Sequence, residues 1–129
     1  MKKADSPSPA KSLKTETGRA GEAAAAEYLA QAGIVPERRN WRCRYGEIDL
    51  IARDGDTLVF VEVRSRTNPT RFGTAIEAVT PRKCRQVREV AAVYLKQREV
   101  APTAVRFDVV AVTFGSGGVR EIRHLPGAF

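Results

Sequence analysis

Histidine is almost missing from this 129-residue chain and cysteine is scarce: there is one His and there are two Cys. A single imidazole excludes any site that needs two, which removes most catalytic zinc centres. Two cysteines cannot build a disulfide framework. Long apolar runs are absent as well, and none approaches the ~20 residues needed to cross a bilayer. The N-terminal stretch is basic and carries no apolar segment, so no secretion signal is expected. These absences lead to the expectation of a soluble, cytoplasmic protein with Cys43 and Cys84 reduced and no membrane partner.

The composition that remains fits one globular domain. Hydrophobic residues make up 43% of the chain, enough for a core. Lys and Arg (22) outnumber Asp and Glu (15), leaving a formal net charge of +7. Such an excess points to an anionic partner, nucleic acid first. Its distribution is uneven. Residues 1–19 hold Lys2, Lys3, Lys11, Lys14 and Arg19 against Asp5 and Glu16, so nearly half of the excess rides on the N-terminal stretch. Rich in Ser, Pro and Lys, residues 1–15 read as a disordered basic tail, and 16–129 as a single domain. No internal repeat is visible.

Periodicity places the elements. From Thr17 onward, Ala20, Ala23, Ala24, Tyr28 and Ala32 recur at helical spacing; Thr15 or Thr17 can cap the start and Gly33 suits the end. Alanine on that face implies close packing, most naturally on a sheet. Ile34–Arg44 reads as a strand broken by Pro36 and Asn40. Glu47–Arg53 alternates, Asp54-Gly55 signals a two-residue hairpin, and Thr57–Arg66 is apolar enough through its middle to be covered on both faces. Asn68–Gly73 is a loop. Thr80 caps a second helix with Pro81 at its first position. Ala104–Phe114 is another buried strand, and Val119–Leu125 a short edge strand. Helix, β-meander, helix and two strands give an α/β sandwich with a mixed sheet.

One constellation could carry chemistry. Glu47 and Asp49 leave the same face of one strand, and Glu62 and Arg64 leave one face of the next. A turn centred on Asp54-Gly55 sets Asp49 opposite about residue 60 and Glu47 opposite Glu62. Carboxylates so close repel one another unless compensated. A divalent cation would relieve them, and hard oxygen donors suit Mg²⁺ or Mn²⁺. The plainer reading is of ordinary solvent-facing strand residues, with Glu62 paired to an arginine. Glu62 speaks against it, because it follows Leu58–Val61 in what should be the most buried strand.

These residues also carry a resemblance. Gly46–Asp49 (GEID) followed by Leu58–Arg64 (LVFVEVR) resembles the PD-(D/E)xK nuclease signature. The fuller set resembles the bacterial UPF0102 family: Thr17–Glu22 (TGRAGE), Arg39–Arg42 (RNWR), Tyr45–Ile51 (YGEIDLI), Asp54–Arg64 (DGDTLVFVEVR), Ala78–Lys83 (AVTPRK) and Arg106–Val112 (RFDVVAV). The resemblance implies a restriction-endonuclease-like three-layer sandwich, a mixed central sheet flanked by helices, similar to archaeal Holliday-junction resolvases. It implies Asp49 and Glu62 as metal ligands, the Val63 carbonyl as a further ligand, and Glu22, in the first turn of the opening helix, as the glutamate near the metal. Glu47 has no role in the signature. Arg64 stands where the signature has lysine. Folds of this kind often dimerise, so a homodimer is a further expectation.

Phosphodiester hydrolysis needs a metal-activated water and a cation beside the developing negative charge. Lysine can orient or help deprotonate the water, whereas arginine keeps its proton and offers charge and fixed donors. Arg64 therefore separates two readings: a metal-dependent endonuclease acting on DNA, ahead of RNA and including branched forms, or a noncatalytic nucleic-acid-binding protein that keeps the fold. Arg39, Arg42 and Arg44, with Arg38, surround Trp41 and Tyr45, a mixture suited to phosphate contact and base stacking. Arg66 and Arg71 follow the second motif, and Arg82, Lys83, Arg85 and Arg88 open the second helix, with Gln86 among them. Trp41 fits a core position equally well. Asp108, on a buried strand, reads as a hydrogen-bonded structural residue, and His124 as inconspicuous.

Overall fold

The computed structural model describes residues 14–67 and 79–129. The loop expected at 68–73, Arg71 and most of the expected tail lie outside them. The elements run α1 (Glu16–Gln31), β1 (Val35–Cys43), β2 (Gly46–Asp54), β3 (Thr57–Arg66), α2 (Pro81–Gln97), β4 (Ala104–Gly115) and β5 (Gly118–Leu125). The strands form one sheet in the order β1-β2-β3-β4-β5. The β3–β4 pair is parallel and the other neighbours are antiparallel. A parallel neighbour needs a crossover, and α2 supplies it.

The caps explain the helix limits. Thr15 is the N-cap of α1 and its hydroxyl accepts the Gly18 amide; the chain leaves the helix through Gly33 at φ 87°. This start puts Glu22 in the second turn of α1 rather than the first. Thr80 caps α2, with Pro81 at its first position.

Each helix covers one face of the sheet. Ala25, Ala26 and Leu29 of α1 pack on Leu50, Val59, Val61, Val63, Val110 and Val112. Val87, Val90, Ala91 and Tyr94 of α2 pack on Ile51, Leu58, Phe60 and Phe107. Alternation along β3 sends Leu58 and Phe60 to one helix and Val59, Val61 and Val63 to the other, so its continuous apolar run is needed on both sides. The result is the expected three-layer α/β sandwich. Trp41 is half-buried and packs against this core, its ring edge-to-face with Tyr94 at 5.1 Å. Tyr94 also donates to Glu37, which takes two bonds from Arg98 and so ties β1 to the end of α2.

One correction concerns the hairpin. Asp54 pairs with Thr57, and the two central turn residues are Gly55 and Asp56. Gly55 has φ 63° and Asp56 does not have positive φ, the glycine-first arrangement of a type II′ turn. Moving the turn by one residue offsets the strands by two. The ladder ends at Leu50–Val61. Continued by one residue, it sets Asp49 level with Glu62, not with residue 60.

Gly21 decides how closely α1 approaches the sheet. A Cβ there would lie 1.8 Å from Ser65 Oγ and 2.9 Å from Ser65 Cβ. The hydroxyl can rotate away but the Cβ cannot. Gly21→Ala gains about 1 kcal/mol of helix propensity yet must push α1 off β3, so a net loss of about 1–3 kcal/mol is expected. Urea denaturation measures it, and adding Ser65→Gly should recover most of the loss. Wild-type stability in the single variant would show that the helix does not rest on β3 at this point.

Candidate functional site

Where the β2–β3 ladder stops, the strands part and Asp49 fills the opening. Its Oδ2 accepts the Val63 amide at 2.8 Å. The N–H and C=O of one strand residue leave on the same edge, so the Val63 carbonyl faces the same gap. Asp49 is 7% exposed, Glu62 3% and Glu22 4%, unusual values for carboxylates. Glu22 comes down from α1, Asp49 from β2 and Glu62 from β3.

The cation that compensates them is Lys14. Its ammonium lies 2.5 Å from Glu22 Oε2, 2.8 Å from Asp49 Oδ1 and 3.4 Å from Glu47 Oε1. Burial draws the Lys14 pKa down, but its bonds to Asp49 and Glu22 more than reverse this and hold it above the ordinary lysine value. Burial raises the Glu22 carboxyl above the usual range, against the pull of Lys14. Asn40 adds a hydrogen bond to Glu22 from a left-handed backbone position at φ 53°, a conformation rare outside glycine.

Glu62 stands apart. Arg64 Nη1 lies 3.3 Å and Lys83 Nζ 3.8 Å from its Oε2. Burial, followed by the charge of Asp49, pushes its pKa up to about 7. Its Oε1 is buried without a hydrogen-bond partner, as is Glu47 Oε2.

The sequence-derived candidates therefore divide. Glu22, Asp49, Glu62, Val63, Arg64 and Lys83 come together. Arg66 lines a cleft of about 540 Å³ beside Lys14 and Glu22. Lys83 also lines a second cleft of about 690 Å³, with Tyr45, Arg82 and Arg85. Arg42 lies across the β1–β2 ladder from Glu47. Arg39 is exposed, opposite Leu50. Arg44 stacks over Tyr45 at 5.1 Å and bonds its hydroxyl. Arg44 is thus engaged with Tyr45 rather than with the acidic cluster. The expectation of Glu47, Asp49 and Glu62 grouped beside one guanidinium is corrected: Glu47 and Asp49 converge on a lysine, and the guanidinium meets Glu62. Gln86 donates to the Tyr45 carbonyl at 3.1 Å and so supports the β1–β2 turn. Lys14 and Asn40 are candidate-site residues that sequence reasoning missed. The one available signal for Lys14 was its place immediately before the cap of the helix that carries Glu22.

Asp108 has the structural role expected of it. It takes two bonds from Arg106, one from the Gly127 amide at 3.0 Å, and contacts His124 at 2.7 Å. Burial would raise its pKa, but Arg106, Gly127 and His124 together hold it below the ordinary value.

The comparisons with known proteins decide kinship. The family model described as "Uncharacterised protein family UPF0102" matches residues 21–112. The UPF0102 protein of Frankia alni is 49% identical over 116 residues, covering 90% of this chain and 96% of its own. This chain belongs to the UPF0102 family. Other similar UPF0102 proteins come from Mycolicibacterium vanbaalenii, 47% identical over 88% of this chain and 93% of its own, and Geotalea daltonii, 47% identical over 87% of each. The UPF0102 match takes in Glu22, Asp49, Glu62, Arg64 and Lys83 but starts after Lys14.

The donor set of this UPF0102 chain suits a hard divalent cation, because it is made of carboxylates with two buried oxygens left unpartnered. Among the described residues, no three Asp, Glu, His or Cys side chains already stand in a ligating arrangement. The carboxylates are gathered around an ammonium instead. Nor, among the described residues, is any helix long and apolar enough to cross a membrane.

Glu62 gives a pH prediction for the protein without metal. A carboxyl whose folded pKa is raised contributes stability that is complete below its unfolded pKa and lost as pH rises through the folded one. Wild type should therefore lose stability between about pH 4.5 and about pH 7. Glu62→Gln should flatten that stretch of the curve and be the more stable protein at pH 8, measured by urea midpoints in chelator. Parallel curves for the two proteins would mean that Glu62 titrates normally.

Proposed function

We propose that this protein is a Mg²⁺- or Mn²⁺-dependent endonuclease acting on DNA, with branched or otherwise structured DNA as its substrate class. The observation that carries the reading is the meeting of buried Glu22, Asp49 and Glu62, from α1, β2 and β3, at the parting of two strands. Burying carboxylates together is costly, and a fold keeps such an arrangement for a cation. The PD-(D/E)xK pattern at Asp49 and Glu62 supports the same reading. Asp49, Glu62, Glu22 and the Val63 carbonyl would hold the ion. When bound, it supplies charge to the scissile phosphoryl group and a lowered pKa to a water.

The other parts fall to the protein's own side chains. Arg64, held at Glu62, offers fixed donors and a permanent charge to a phosphate oxygen but accepts no proton. Lys83 and Arg66, on either side of the acidic cluster, suit contacts to the phosphate backbone. Arg42 and the exposed Arg39 and Arg44 extend this basic surface along β1 and the turn after it. The arginine at the signature-lysine position favours a second reading, a noncatalytic nucleic-acid-binding protein on the same fold.

Incubation with branched, duplex and single-stranded DNA in Mg²⁺ or Mn²⁺ tests the choice. Cleavage should fall about 10²-fold or more in Asp49→Ala. Equal cleavage by wild type and variant would place the activity elsewhere. Arg64→Lys then separates the readings: loss of cleavage shows that arginine is used, whereas cleavage gained by an otherwise silent protein marks a binding module.

A further inference from the structure

We propose that Lys14 is a built-in competitor for the divalent cation: its ammonium fills the acidic site of the metal-free protein, and a metal ion enters by expelling it. The inference rests on the metal-binding reading above and concerns what regulates that site.

The ammonium contacts Glu22, Asp49 and Glu47 at 2.5, 2.8 and 3.4 Å. Glu22 and Asp49 are the side chains a metal would need, and Mg²⁺ holds its oxygens at about 2.0–2.1 Å. An ion at that distance from both leaves no room for Nζ among them. Two cations so close would also repel strongly in a site screened from water. Metal and Lys14 therefore exclude each other.

The exchange is sound in charge. One ammonium serves Glu22, Glu47 and Asp49, while Glu62 Oε1 and Glu47 Oε2 stay buried without partners. A dication brings the second charge that the site lacks. The exchange is also feasible in structure. Lys14 precedes the cap, and α1 is closed by the bond from the Gly18 amide to the Thr15 hydroxyl, which does not involve Lys14. Arg19 holds the Lys14 carbonyl at 2.7 Å. The four-carbon side chain can therefore swing out from a fixed backbone into the neighbouring 540 Å³ cleft, leaving the helix intact. There it joins Arg66, and the expelled charge becomes available to a phosphate.

Two measurements test this without reference to cleavage. Mn²⁺ is titrated into wild type, Lys14→Met and Lys14→Arg by calorimetry. Lys14→Met should bind at least about tenfold more tightly, since no resident cation must be displaced, while Lys14→Arg stays near wild type. Separately, amine labelling read by mass spectrometry should find Lys14 slow to react in chelator and fast at saturating Mn²⁺, with exposed Lys96 unchanged. This second arm uses wild type and decides the matter if Lys14→Met fails to fold. Equal or weaker Mn²⁺ binding by a folded Lys14→Met, or Lys14 labelling that ignores Mn²⁺, overturns the competition and leaves the metal site standing. Absence of Mn²⁺ binding in both proteins overturns the competition and the metal reading together.

Discussion

At the end of the β2–β3 ladder the Asp49 carboxylate takes up the Val63 amide, at 2.8 Å, where a strand carbonyl would otherwise stand. That bond holds the strands apart without leaving a buried donor unpaired. The rest of the site is arranged around it. The opening admits Glu22 from above, keeps Glu62 one step along β3, and turns the second Asp49 oxygen toward Lys14. The glycine-first turn at Gly55 fixes the register that brings Asp49 level with Glu62, and Gly21 lets α1 come close enough for Glu22 to reach.

This arrangement changes what the net charge means. Lys14 counts toward a basic N-terminal stretch in composition, yet in the structure it offsets part of the charge of Glu22, Asp49 and Glu47. Lys83 and Arg64 do the same for Glu62. Other basic residues, Arg39, Arg44, Arg82 and Arg85 among them, are exposed. The molecule is a basic surface enclosing a compensated acidic hole, and the compensation comes from its own side chains.

The elements were legible in the sequence because their signals are local. Thr15 and Thr80 are caps, Pro81 opens α2, Gly33 closes α1, and the doubly apolar Thr57–Arg66 run could only be a central strand. The meeting of Asp49 with Glu62 was legible through the resemblance to the PD-(D/E)xK signature, whereas the turn arithmetic set Glu62 opposite Glu47. Register was not, because Asp54-Gly55-Asp56 admits two placements of a two-residue turn, and only the choice of where glycine takes positive φ separates them. Lys14 was hidden by its neighbours: Ser, Pro and Lys before it read as a solvated tail, and nothing local shows that a carboxylate 35 positions away waits for it. Asn40 was legible as a break in the strand, but nothing local shows that its side chain reaches Glu22. Arg44 looked close to the acidic pair along the chain, but it stacks on Tyr45 and bonds its hydroxyl.

The parallel β3–β4 pairing has a consequence for how the molecule comes into being. Glu62 gains its Lys83 neighbour only when α2, the crossover between β3 and β4, has packed on the sheet against Ile51, Leu58 and Phe60. Lys14, Asp49 and Lys83 are distant in the chain, and the entropy of closing the intervening loops must be overcome before their contacts can form. No early hairpin or isolated helix can assemble them in advance. A nascent or partly unfolded chain thus carries the acidic residues without the geometry, and whatever chemistry they perform is confined to the finished fold.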